Sequence, residues 1–151
     1  MKKIIFFWIS IILITSCKKE EGNEPLPALS DTPLIELVGV SSTSINQFDD
    51  VTITVKYTDG DGDLGHSDAN ENSIFVTDMR DIQLFHQFHL QPLTPDGQSF
   101  AIEGNLKIKI ENIILLNQSS TTESTTFQVF IRDRAGNKSN VVTTSNIRIS
   151  K

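Results

Sequence analysis

From Leu34 onward, hydrophobic and polar residues alternate along the chain. Val51, Ile53, Val55 and Tyr57 are interleaved with Thr52, Thr54, Lys56 and Thr58. Leu106, Ile108 and Ile110 alternate with Lys107, Lys109 and Glu111, and Phe127, Val129 and Ile131 are flanked by Gln128 and Arg132. Successive side chains of a strand point to opposite faces, so each segment buries one face and wets the other. The same reasoning predicts strands over 35–40, 74–77, 83–91, 99–102 and 141–149. Turn residues separate them: Asp59-Gly60, Pro95-Asp96-Gly97, Gly104-Asn105 and Gly136-Asn137. Residues 111–117 could also read as a short helix, but one too short to change the class. The polar run 118–126 (QSSTTESTT) reads as a loop. Seven to eight short strands in this length predict an all-β, antiparallel two-sheet sandwich.

The first residues break this pattern. Met1-Lys2-Lys3 is basic, and residues 4–14 (IIFFWISIILI) are apolar apart from Ser10. Eleven helical residues span about 16 Å, against a hydrocarbon core of about 30 Å. A charged start, a short apolar stretch and small residues after it describe a secretory signal peptide. Ile14-Thr15-Ser16-Cys17 resembles a bacterial lipobox. That resemblance implies cleavage before Cys17 and attachment of lipid to its sulfur and to the new N-terminus. Each buried CH₂ contributes about 0.8 kcal/mol, so two or three chains hold where one is marginal. Cys17 is the only cysteine of the chain, which leaves no partner for an intrachain disulfide and no cysteine zinc site. The segment Cys17-Lys18-Lys19-Glu20-Glu21 resembles the lipoprotein export signal of Bacteroidota. In it Lys19, Glu20 and Glu21 would direct the protein to the outer face of the outer membrane. Short charge runs of this kind are also ordinary solvated tethers.

The expected organisation is a signal peptide over 1–16, a lipidated cysteine and flexible tether over 17–33, and a β-domain over 34–151. The tether carries Pro25, Pro27 and Pro33 with Gly22, Asn23 and three glutamates, and has no hydrophobic period. Fully stretched, Lys18 to Pro33 would reach about 50 Å, enough to hold a domain clear of the headgroups.

The chain has 151 residues and a formal charge of −6, which fits one domain with a tail and excludes a multidomain enzyme. Removing Lys2 and Lys3 with the leader leaves 11 basic and 19 acidic side chains, a formal −8. An acidic domain of this kind lacks the basic footprint that nucleic acids require. It also has no charge attraction of its own for an acidic membrane surface.

The strand order resembles an immunoglobulin-like domain, and more closely the disulfide-free Ig-like modules of bacterial surface proteins. There the last hairpin often carries Asp-x-Ala-Gly-Asn-x-Ser. Here it reads Asp133-Arg134-Ala135-Gly136-Asn137-Lys138-Ser139. The antibody hallmarks are missing, since there is no cysteine pair and Trp8 lies in the leader.

Asp59-Gly60-Asp61-Gly62-Asp63-Leu64-Gly65 is the sharpest local feature. Three carboxylates at alternate positions repel one another unless something positive sits between them. Hard oxygen ligands suit Ca²⁺, and the glycines let the backbone curl around it. The spacing is similar to the start of an EF-hand loop, with departures: Leu64 stands where the sharp-turn glycine belongs, Asn70 occupies the twelfth position, and Glu71 follows one place late. No flanking helices are predicted. In Ig strand order this loop and the Asp133 turn lie at one end, so Asp133 is expected to complete a Ca²⁺ site with Asp59, Asp61 and Asp63, helped by Asp68 or Asn70. A solvent-exposed turn rich in Asp and Gly would read the same way.

No Gly-x-Ser-x-Gly, phosphate-cradling glycine loop or His-Glu-x-x-His pattern occurs. His86 and His89, three apart in a strand, are expected on opposite faces. The chain therefore reads as a non-enzymatic surface lipoprotein that requires no cofactor, with Ca²⁺ as a candidate ligand. Its role would be structural, adhesive or protein-binding. The alternatives are a glycan-binding accessory of a nutrient-uptake system, with an aromatic cluster around Phe85, Phe88 and Phe100, and a hydrolase. For a hydrolase Asp59, Asp61, Asp63 and His66 are the only acid–base candidates.

Overall fold

A computed structural model describes residues 29–151. The leader, Cys17, Lys19, Glu20, Glu21 and most of the tether lie outside the described residues. Within them the chain is all-β, with ten strands. These are β1 (Leu34–Val40), β2 (Ser44–Asn46), β3 (Val51–Asp59), β4 (Ile74–Asp78), β5 (Phe85–Phe88), β6 (Ile102–Ile110), β7 (Thr122–Thr125), β8 (Phe127–Ile131), β9 (Val142–Thr143) and β10 (Ile147–Ser150).

They form three sheets, ordered β1-β3-β6, β5-β4-β8-β9 and β2-β10-β7. β3 and β6 pair antiparallel along their whole length, from Val51 opposite Ile110 to Asp59 opposite Ile102. β4 lies between β5 and β8, with Val76 opposite Val129. The inward residues make one core: Ile35, Ile53, Val55, Ile108 and Ile110 meet Ile74, Val76, Val129 and Ile131. The third sheet adds Ile45, Ile147 and Ile149 to it. Burying each such side chain contributes about 1.5–3 kcal/mol.

Several expectations need correction. One pairing is parallel, β2 with β10: after β1 the chain leaves the first sheet and runs beside the last strand. The expected strand over 141–149 is two pieces. Thr144 turns inward between them, its Oγ1 accepting the Phe127 N–H at 2.9 Å, and the chain crosses from β8 to β7 as its neighbour. Gly104-Asn105 is not a turn but the middle of β6. Gly104 faces Tyr57, and a Cβ built on it would lie 2.7 Å from the Tyr57 hydroxyl, so the glycine makes room for the ring. Residues 111–117 form no helix, and the polar run 118–126 contains β7.

Candidate metal centre

The acidic loop begins inside a strand. β3 buries its odd-numbered residues, and that parity carries through Val51, Ile53 and Val55 to Asp59, which is fully buried. Asp59 thus places a carboxylate where the pattern calls for a hydrophobic side chain. Past it the chain curls, with Gly62 at φ 72° and Gly65 at φ 85°, conformations that glycine adopts without steric cost. A Cβ on Gly62 would lie 2.3 Å from the Phe100 carbonyl oxygen, and one on Gly65 would lie 2.2 Å from that of Gln91. The glycines therefore also let residues 91–100 close against the loop. Leu64, at the position an EF-hand gives to glycine, is fully buried in the core and pins the loop.

Hydrogen bonds fix the loop from several sides. Thr94 Oγ1 donates to the Gly62 carbonyl at 2.6 Å. The Leu93 N–H donates to the Leu64 carbonyl at 3.0 Å, and the Phe100 N–H to that of Asp61 at 3.2 Å. From the turn after β8, the Arg134 N–H reaches the Asp63 carbonyl at 3.2 Å, and the Ala135 N–H reaches Asp63 Oδ2 at 3.0 Å.

This scaffold brings one carboxylate oxygen each from Asp59, Asp61 and Asp63 within 4.8 Å of one another. Both oxygens of Asp59, Oδ1 of Asp61 and Oδ1 of Asp63 are buried and accept no hydrogen bond from the protein. Burial, then the neighbouring charges of Asp61, Asp63 and Asp133, push the Asp59 carboxyl up to about 7. Burial and the charges of Asp133 and Asp61 also raise Asp63, against the opposing Ala135 N–H and Arg134. Buried carboxylates without partners cost several kcal/mol apiece, so a proton or a cation must relieve them. The donor set is all oxygen, with no His or Cys, which suits a hard cation. Convergent carboxylates with nearby backbone carbonyls suit Ca²⁺, because Mg²⁺ is reluctant to give up its waters to an all-protein cage.

Asp133 lies at the same end and is buried, but its place differs from the expected one. It is not among the three carboxylates within mutual reach. The Asn137 N–H donates to its Oδ1 at 2.7 Å and Asn137 Nδ2 to its Oδ2 at 2.9 Å, so it closes its own turn and adds negative field to Asp59 and Asp63. Asp68 and Asn70 do not help either: Asp68 Oδ1 accepts the Asn70 N–H and Nδ2, and both residues are exposed. His66 is outside the trio, its N–H bound to the Leu90 carbonyl.

The other sequence candidates do not converge. Phe85 stacks on Phe75 at 5.9 Å, and Phe75 on Phe130 at 4.7 Å, whereas Phe88 packs against the core and Phe100 sits beside Asp61. No three-ring platform forms from Phe85, Phe88 and Phe100. His86 and His89 both border a groove of about 600 Å³ beside β6 that does not reach the acidic trio. His89 Nδ1 bonds the Glu71 carbonyl at 2.8 Å.

A functional group missed in the sequence is Arg80, whose guanidinium is largely buried. It bonds Asp78 at 2.6 Å and Glu123 at 2.8 Å and the Ile114 carbonyl at 2.7 Å. All its bonds are internal, which makes it a structural tie. The charges are distributed over segments without a shared motif, and no local signal joins them.

Scanned against protein-family models, the chain matches none, and neither the curated proteins nor the solved structures contain a significant match.

Proposed function

We propose that this chain is a bacterial surface lipoprotein, anchored through Cys17, whose Ig-like β-domain is a binding or adhesive module stiffened by Ca²⁺. The observation that carries the Ca²⁺ part is Asp59: a fully buried carboxylate, neither oxygen of which is hydrogen-bonded, beside Asp61 and Asp63. The order β1-β3-β6 against β5-β4-β8 supports the Ig-like reading, as does the Asp133–Ser139 segment between β8 and β9. The reading is of a module rather than a catalyst, because the trio is held in a packed loop and not at the groove beside β6. The leader, lipobox and charged tether support display at the outer face of the outer membrane, with a protein or other extracellular ligand as partner.

Two measurements test it. Titration calorimetry with CaCl₂ should show binding with a dissociation constant on the order of 10⁻⁴–10⁻³ M, as in extracellular modules. No heat and an unchanged melting temperature at about ten times that concentration would remove the metal. Mass spectrometry of the membrane-extracted protein should find Cys17 diacylated and N-terminal. A bare sulfur, or the leader still attached, would remove the anchor.

A further inference from the structure

The chain enters the β-domain at the metal end, and both carboxylate-bearing loops hold the entering segment. The Gly60 N–H, between Asp59 and Asp61, donates to the Ser30 carbonyl at 2.8 Å. The contact is tight: a Cβ on Gly60 would lie 2.3 Å from the Leu29 carbonyl oxygen and 2.7 Å from the Ser30 carbonyl carbon. Ser30 Oγ accepts the Thr32 N–H at 3.1 Å, and Pro33 is buried. On the other side, Asn140, just past the Asp133 turn, clamps the first residues of β1. Its Oδ1 accepts the Ile35 N–H at 2.8 Å and its Nδ2 donates to the Ile35 carbonyl at 2.9 Å. The two loops are themselves joined through Asp63 and Ala135.

We propose that Ca²⁺ at Asp59, Asp61 and Asp63 locks the point where the chain enters the domain, so that external Ca²⁺ sets how firmly residues 29–33 are docked ahead of β1. This rests on the metal reading above. Without the cation, the buried oxygens of Asp59, Asp61 and Asp63 have no partner to draw them together, and the loop that carries Gly60 is held less firmly. With the cation, the loop closes and presents the Gly60 N–H to Ser30. Linkage makes the coupling reciprocal: if Ca²⁺ favours docking, docking favours Ca²⁺ by the same factor.

Gly60→Ala separates the two parts. Gly60 has no positive φ, so alanine suits its backbone, and no carboxylate is altered. The three atoms nearest the new methyl all belong to the entering segment. The experiment uses the whole chain in detergent, with CaCl₂ as the probe, and reads calorimetric affinity together with hydrogen exchange of peptides covering Gly60, whose N–H is the donor to Ser30, and 29–35. In the unaltered chain Ca²⁺ should slow exchange there at least about tenfold, the factor that about 1.4 kcal/mol of coupling gives. Gly60→Ala should still bind Ca²⁺, several-fold more weakly, and lose the slowing. Pro33→Ser, which loosens the same segment from its own side, should weaken Ca²⁺ in the same way and replaces Gly60→Ala if that variant does not fold. Ca²⁺ binding with unchanged exchange at Gly60 and over 29–35, or equal affinity in the variants, overturns the coupling and leaves the metal site standing. No Ca²⁺ heat in the unaltered chain overturns both.

Discussion

The Asp63 side chain accepts the backbone N–H of Ala135, 72 residues further along, at 3.0 Å. That bond joins the loop after β3 to the turn after β8, so the acidic end is one unit rather than two independent loops. Asp63 Oδ2 is thereby engaged by the neighbouring turn. Asp63 therefore offers its other oxygen, the buried Oδ1 that accepts no hydrogen bond. The division of labour within one side chain leads to a first expectation.

Asp59→Asn removes the buried charge while keeping the shape. Without Ca²⁺ the variant should melt higher than the unaltered protein at pH 8, because an ionised Asp59 opposes folding there. The gap between about 7 in the folded state and about 3.9 unfolded sets an upper limit on the order of 4 kcal/mol. With Ca²⁺ at about ten times its dissociation constant the gap should narrow by about 1.4 kcal/mol, since only the unaltered protein gains from the cation. Scanning fluorimetry in chelator and in CaCl₂ checks both. A variant that melts lower in both conditions would mean Asp59 is a satisfied structural group.

The same carboxyl gives the metal-free protein an unusual pH profile. Its folded value is raised, so between about pH 4 and 7 the native state holds a proton that the unfolded chain has released. Stability must then fall as pH rises through that window and level off above it. Saturating Ca²⁺ competes with the proton for the same oxygens, and affinity should climb with pH across the window. Urea melts at pH 5, 6, 7 and 8 in EDTA give the first trend, and calorimetry gives the second. A metal-free stability that rises steadily from pH 5 to 8 would contradict the assigned environment.

Gly104→Ala tests the close approach in the middle of the β3–β6 pair. The methyl would meet the Tyr57 ring at 2.7–3.0 Å, so the half-buried ring must shift to admit it. Destabilisation of about 1–3 kcal/mol is expected, as for overpacking in a filled core. Tyr57→Phe on the same background should recover part of it, because the nearest of those atoms is the hydroxyl. Denaturant melts of the single and double variants measure the coupling; full additivity would show that the two residues do not compete for space.

The β3–β6 pair also shows where the sequence is legible. The alternation from Val51 to Tyr57 gives the strand, its buried face and, carried one step further, the burial of Asp59. Gly104 was misread because a glycine in a strand that admits a ring and a glycine in a turn look alike without the partner strand. β2 was invisible for another reason: three residues with one buried side chain, Ile45, carry no period. In the acidic loop, the alternate spacing is what places Asp59, Asp61 and Asp63 within reach of one another. Asp133 was brought to the right end but to the wrong task, since its pairing with Asn137 depends on a local turn geometry that residue types alone do not specify. Glu123, in a run of serines and threonines, gains its role from Arg80, 43 residues before it, and from the N–H groups of Leu116 and Asn117.

Arg80 supplies the opposite pH behaviour. Burial alone would raise Asp78, but hydrogen bonds from Arg80 and Thr125 outweigh it and hold the carboxyl below its usual value. A depressed folded value means stability that is present above about pH 4 and lost as pH falls through the folded value. Acid should therefore unfold the domain from the Asp78 side, in a window below the one in which Asp59 acts. Arg80→Ala leaves Asp78 buried beside Thr125 without its counter-charge, and removes from Glu123 the charge it shares with the Leu116 and Asn117 N–H groups. The expected cost is about 3–5 kcal/mol at neutral pH, as for one partner removed from a buried ion pair. Adding Asp78→Asn should restore a part, because the stranded charge is gone. Equilibrium unfolding of the single and double variants decides it. If the double variant is less stable than Arg80→Ala by the full cost of a second independent lesion, Asp78 and Arg80 do not act as a pair, and the acid window must have another source.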